Sequence, residues 1–189
     1  MTLLTDYLLG GVAAWLTVLL LRNSQSQKSR KFWAAAFAAL ALGAFLGGTW
    51  HGFLQNPLLW KATLLTVGVA SFAMVTGSAF AAVSGAVRNV LIGVAGGKLL
   101  AYAGWMLRHD EFIYLVIDTG IAFAVVAALH LWRFNGWILA GTAVSVAAGL
   151  VQASGFALHA HFNHNDLYHV IQIAAMALFY RGARRLGDR

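Results

Sequence analysis

Apolar runs alternate with short polar breaks along the whole chain. The runs cover residues 3–21, 32–54, 59–84, 88–107, 112–132, 137–157 and 166–180. A helix rises about 1.5 Å per residue, so a run of roughly 20 residues crosses the hydrocarbon core of a bilayer. This pattern predicts an all-α, polytopic membrane protein, a bundle of seven transmembrane helices. The breaks support the same division. Arg22 to Lys31 is polar, basic and without hydrophobic period. Gln55-Asn56-Pro57 carries the only proline, which disfavours helix in the residue before it, so the second helix is expected to end near residue 55. Arg108-His109-Asp110-Glu111 and Arg133-Phe134-Asn135-Gly136 separate the later runs. The spacings Gly43-xxx-Gly47 and Gly93-xxx-Gly97 predict close helix approach. No repeat or low-complexity linker divides the chain, which reads as one domain over residues 1–189.

Composition agrees with the pattern. The chain is 60% hydrophobic and 10% charged, with a mean hydropathy of +0.73, too apolar for a water-soluble surface. Its net charge of +7 calls for no nucleic acid, because membrane proteins concentrate Lys and Arg in cytoplasmic loops. With seven spans, Arg22, Lys28, Arg30, Lys31, Arg88, Arg133, Arg181, Arg184, Arg185 and Arg189 share one side. The other side holds Lys61 and Arg108 with Asp6, Asp110, Glu111 and Asp166. The rule therefore places the N-terminus outside and the C-terminus in the cytoplasm, as expected for a bacterial inner (plasma) membrane protein whose surroundings are lipid. The first run lacks a basic leading region and a small-residue cleavage site, so it reads as a retained span. The absence of cysteine excludes disulfides and thiolate metal ligands.

Candidate chemistry collects before the last run. His159, His161, His164 and His169, four of the seven histidines, fall within eleven residues with Asp166. His51, near the end of the second run, lies at a matching depth on the same side. Neutral imidazole is the commonest side-chain metal ligand, and a neighbouring carboxylate can ligate, orient or move protons. A zinc site is the expectation for this constellation, with His51, His169, His164 and His161 as its candidate ligands. Asn163 with Asp166 three residues later also matches a capping pair at a helix start.

A histidine near the end of the second span and a histidine motif opening the last span resemble the superfamily of alkaline ceramidases, progestin/adiponectin receptors and Per1-type proteins. That resemblance implies a seven-helix bundle that holds zinc through a second-span His and a C-terminal His-xxx-His and hydrolyses an amide or ester bond in a lipid. His51 and His169 match those motifs. The family's Ser four residues before the second-span His is Gly47 here, with Thr49 the nearest hydroxyl. Asn165 stands four before His169, and the third run opens Trp60-Lys61-Ala62-Thr63 without the family's Asp.

Asp166 and Asp118 are the acids left for catalysis. Asp166 is one turn from His169 and close to water, which makes it the expected general acid/base. Asp118 lies deep in the fifth run, where an ionisable group is costly and functional by default, with Lys98 as its alternative ion-pair partner. Ser71 and Ser154 read as packing residues. The competing readings are a haem-binding electron carrier with axial histidines on two spans, and a transporter or sensor that binds metal without turnover. A retinal protein is disfavoured because the last run lacks a lysine.

Overall fold

The structure, a computed structural model, describes residues 1–189. Seven helices follow in order: α1 (Thr2–Arg22), α2 (Lys28–Gly52), α3 (Pro57–Ala82), α4 (Gly85–Met106), α5 (Phe112–Trp132), α6 (Gly136–Ser154) and α7 (His164–Ala183). There are no strands, only an isolated bridge between His159 and Phe162. Five of the helices, α1, α2, α3, α5 and α6, are long and apolar enough to cross a bilayer. Charge and polarity set the other two apart. α4 carries Arg88 and Lys98, and the first half of α7 carries Asn165, Asp166, His169 and Gln172.

Local chemistry explains the helix limits. Pro57 occupies the first turn of α3, where its missing N–H costs nothing, and the Asn56 side chain accepts from the Leu58 N–H. α6 stops at Gly155, whose φ of 68° ends it three residues before the hydrophobic run does. α7 starts at His164, because the Asn163 side chain accepts from the Asn165 and Asp166 N–H groups while Asp166 accepts from the Asn163 N–H. The capping pair read from the sequence is therefore present.

Six helices close a ring: α1 packs on α2, α2 on α3, α3 on α5, α5 on α6, α6 on α7, and α7 on α1. α4 lies outside the ring against α3. Large apolar side chains such as Leu4, Trp15, Leu100 and Val146 point outward, whereas small residues dominate the interior around Trp33, Phe37, Met176 and Phe179. This distribution is the one a bilayer-facing surface requires, since lipid tails are as apolar as leucine and give no reward for hiding it.

Only one of the two small-residue spacings is used. A Cβ on Gly43 would lie 2.9 Å from Thr66 Oγ1 of α3, but Gly93 and Gly97 have nothing within 4 Å and face open space. The tightest backbone approach involves Gly77, whose Cβ would lie 2.8 Å from the Ser29 carbonyl oxygen and 2.8 Å from Trp33 Cδ1. Gly77→Ala is expected to destabilise the bundle by about 1–3 kcal/mol, as overpacking does. Gly93→Ala is expected to stabilise it by up to about 1 kcal/mol through helix propensity. Unfolding titrations in mixed micelles compare the two, and equal effects would refute this assignment of faces.

The basic end is fastened by the C-terminal segment. Asp188 accepts from the Lys28 and Ser29 N–H groups at 2.7 and 2.8 Å, Arg30 Nε donates to Leu186 O at 2.6 Å, and the Arg189 N–H donates to Phe80 O at 3.0 Å. Burial pushes the Asp188 carboxyl up, but hydrogen bonds from Ser29 and Lys28 and the Lys28 charge outweigh it and hold the pKa below its ordinary 3.8.

Candidate functional site

At the opposite end of the ring, α1, α2 and α7 bring three ionisable side chains together. Asp6 Oδ2 lies 2.8 Å from His51 Nδ1, and Asp6 Oδ1 lies 3.1 Å from His169 Nε2. One carboxylate thus spans two imidazoles. Asp6 and His169 are buried, while the His51 side chain remains 28% exposed at the open edge. The three groups meet by direct contact rather than standing around a common centre as a ready-made ligand shell.

Glycines make this approach possible. A Cβ on Gly48 would lie 2.6 Å from Tyr7 Cδ1 and 2.9 Å from Asp6 Cβ, so α1 reaches this depth only against a bare backbone. A Cβ on Gly47 would lie 3.8 Å from Asp6 Oδ1 and 3.4 Å from Thr63 Cγ2. The polar groups facing this turn of α2 therefore come from α1 and α3. Thr49 Oγ1 donates to Phe45 O at 2.7 Å, so the Tyr7 hydroxyl is the donor in its 3.0 Å bond to Thr49 and clips α1 to α2.

Behind His169 runs a second set of bonds. Asp166 is fully buried, its Oδ2 accepts from the Asn163 N–H at 2.9 Å, and its Oδ1 accepts from the Thr5 hydroxyl at 3.1 Å. The Thr5 O–H is the one protein donor that Asp166 Oδ1 has, and a hydroxyl carries a single proton. The Thr2 carbonyl oxygen, at 3.0 Å, competes for that proton, and since either acceptor takes it, Thr5 accepts from His169 Nδ1, 3.0 Å away, with that nitrogen assigned the proton. A neutral His169 is left presenting a bare Nε2 lone pair to Asp6 Oδ1. Two acceptors at 3.1 Å demand a proton or a cation between them. Two imidazoles and a carboxylate are donors of the kind that hold zinc or non-haem iron, and a carboxylate bonded to the far nitrogen of a ligating histidine is their usual support, here relayed through Thr5.

The site opens onto a cavity of about 260 Å³ that touches every helix of the ring. Leu9, Leu40, Val67, Leu115 and Met176 give it apolar walls, and Thr63, Gln152, Asn165 and Gln172 add polar atoms. Gln172 Oε1 is buried there without a partner. Trp60 guards the rim, 4.8 Å from the Trp50 ring centroid and 6.5 Å from that of His51, with its Nε1 donating to Asp110 O.

Of the residues singled out in the sequence, His51 and His169 meet at Asp6. His164 is half-buried in the first turn of α7, and His161 is exposed in the preceding loop, where its N–H donates to His159 Nδ1. No contact joins either of them to the Asp6 cluster. Asp166 sits behind His169 and does not line the cavity. Asp118 is buried against Lys98, which donates to its carboxylate and, at 3.1 Å, to its carbonyl oxygen, and it too is away from the cavity. Sequence reasoning missed Asp6 and Thr5. The signal was present: Asp6 is an acid set inside an apolar run, the criterion applied to Asp118.

A family model matches residues 1–188. The chain belongs to DUF6962, a family of unknown function. Every residue of the cluster, from Thr5 to His169, falls within the part of the chain that defines DUF6962 membership. No curated protein matches the chain. No solved structure matches it either.

Proposed function

We propose that this DUF6962 chain is a zinc-dependent intramembrane hydrolase that cleaves an amide or ester bond in a lipid. The observation that carries the reading is the Asp6 carboxylate held 2.8 Å from His51 Nδ1 and 3.1 Å from His169 Nε2 at the mouth of an apolar cavity. Asp6, His51 and His169 would hold the metal. Zinc bound there supplies a Lewis acid that polarises a carbonyl oxygen and brings the pKa of water to about 7.

The chain's own residues supply the remainder. Thr5 and Asp166 fix the tautomer and angle of His169, so Asp166 acts as a positioning residue rather than the acid/base group expected from its place in the sequence. Gln172 and Asn165 offer polar partners to the substrate's linkage. A second cavity of about 280 Å³ shares Leu40, Phe112, Leu115 and Gln172 with the first and continues between α5 and α6 along Val116, Phe123, Val146 and Leu150. Its walls suit an acyl chain and exclude water. The His51 side is the route for water and protons. A haem reading is disfavoured because the Asp6 carboxylate already fills the gap between the two rings and leaves no slot for a macrocycle.

The reading includes seven spans, with the site end and N-terminus outside and the C-terminus in the cytoplasm of a plasma membrane, and kinship with the ceramidase and progestin/adiponectin receptor superfamily. The test uses purified full-length protein: elemental analysis, a visible spectrum, and fatty-acid release from a panel of lipid amides and esters. The expected result is one zinc per chain and turnover that chelation abolishes and zinc restores. A Soret band, or bound zinc with no turnover on any amide or ester, would overturn the hydrolase reading.

A further inference from the structure

At the basic end, the α5–α6 turn, the first turn of α6 and Arg185, just past the end of α7, line an open depression of about 550 Å³. Arg133 and Arg185 line it together with Asn135 and Trp137. The Arg181 and Arg185 guanidinium carbons lie 5.0 and 5.6 Å from the Trp137 ring centroid, so one indole holds two cations beside the opening. None of Arg133, Arg181, Arg184 and Arg185 pairs with a carboxylate, since the protein's ion pairs lie at Asp6 and Asp118. Asp188, the one acid of this end, is already bound to the start of α2. Arg133 and Arg185 in the depression, with Arg181 beside them on Trp137, repel one another unless an anion joins them.

The rim of the same depression is apolar and points away from the protein. Phe134 is 92% exposed and held at a φ of 51°, a conformation that bulky side chains rarely adopt. Trp132 and Leu131 beside it are exposed as well, at the end of a helix apolar enough to cross a bilayer. Aromatic side chains at such an end sit at headgroup level. Asn135 fixes the turn in place, accepting from the Ile138 N–H and donating to Gly182 O at 3.3 Å. A fixed cationic depression bordered by lipid-facing aromatics matches a phosphate that carries acyl chains.

We infer that this depression binds the phosphate headgroup of an anionic phospholipid, through the guanidinium groups of Arg133 and Arg185. The inference rests on the membrane reading but not on the metal site or the hydrolase reading. Guanidinium forks take phosphate oxygens two at a time, and Asn135 and the Trp137 indole offer further donors to the headgroup. The anchored lipid would bridge the α5–α6 turn, α6 and the segment after α7, at the end opposite the Asp6 cluster.

The test measures lipid retained by purified full-length protein, by native mass spectrometry, after exchange into nanodiscs of phosphatidylglycerol mixed with phosphatidylcholine. The expected result is selective retention of phosphatidylglycerol. An Arg133→Gln/Arg185→Gln double variant should weaken it by about 100-fold or more, as the loss of two charge-assisted hydrogen-bonding groups does. An Arg22→Gln/Lys31→Gln variant, which removes the same charge from the same end, should leave the selectivity in place, because neither side chain lines the depression. An Arg133→Lys/Arg185→Lys variant guards against misfolding and should retain part of the selectivity. Equal losses in the two Gln variants would overturn the site in favour of diffuse surface charge. Stabilisation by millimolar inorganic phosphate without phosphatidylglycerol selectivity would also overturn it, in favour of a free-anion site.

Discussion

Asp6→Asn is expected to abolish zinc binding and, with it, hydrolysis. The substitution keeps volume and shape but removes the charge that stands between His51 Nδ1 and His169 Nε2, at 2.8 and 3.1 Å. An amide presents one acceptor oxygen where the carboxylate presented two, so one imidazole faces an N–H₂ donor instead. The loss in metal affinity should exceed the roughly 10–100-fold typical of removing a group that merely supports a ligand. Thr5→Val provides that milder comparison. It cuts the relay from Asp166 to His169 Nδ1 and should lower affinity by about 10–100-fold with the three proposed ligands intact. Competition titrations against a chromogenic chelator measure both. If Asp6→Asn retains wild-type affinity while His164→Ala or His161→Ala loses it, that histidine is the third ligand and Asp6 is only a neighbour of the site.

The contrast between Asp6 and His161 marks what was legible in the sequence. Hydrophobic run lengths located all seven helices, most plainly the five long and apolar enough to cross a bilayer, because such a helix is apolar over its whole exposed surface and its pattern is long. His51 and His169 were legible because each opens or closes a helix at the same end of the bundle. The third member was not, because the clustering of imidazoles in residues 159–169 drew attention to proximity along the chain. In the structure that loop holds His159 and His161 out to solvent, while α7 packs against α1 and presents His169 to Asp6 across more than 160 residues of sequence. Helix adjacency in a ring is a property of packing, and nothing in the spacing of residues 1–22 states that α1 closes against α7. The glycine spacings show the same limit. Gly43 and Gly93 stand in identical local patterns, and only the first meets a neighbour.

Asp118 was open between a catalytic and an ion-pair role, and its surroundings lead to the second large prediction: Lys98→Met is expected to destabilise the bundle by about 3–5 kcal/mol, the cost of leaving one member of a buried pair uncompensated. Asp118 is 4% exposed, its Oδ2 has no partner, and Lys98 supplies the donors to both its carboxylate and its carbonyl oxygen. Asp118→Asn should cost less, because the Lys98 side chain is 20% exposed and can redirect its ammonium group outward. Removing both partners in Lys98→Met/Asp118→Leu should restore most of the stability, since an apolar pair of similar volume avoids desolvation altogether. What such a variant cannot restore is the tie itself. α4 stands outside the ring, packs chiefly on α3 and touches α5 only slightly, so the pair is the main polar link between α4 and α5. Unfolding titrations and zinc stoichiometry measured on the same samples separate the two roles. A Lys98→Met protein within about 0.5 kcal/mol of wild type, the range of neutral surface changes, would show that the pair does not hold α4 in place. Loss of turnover in Asp118→Asn with stability and zinc intact would return Asp118 to the catalytic site.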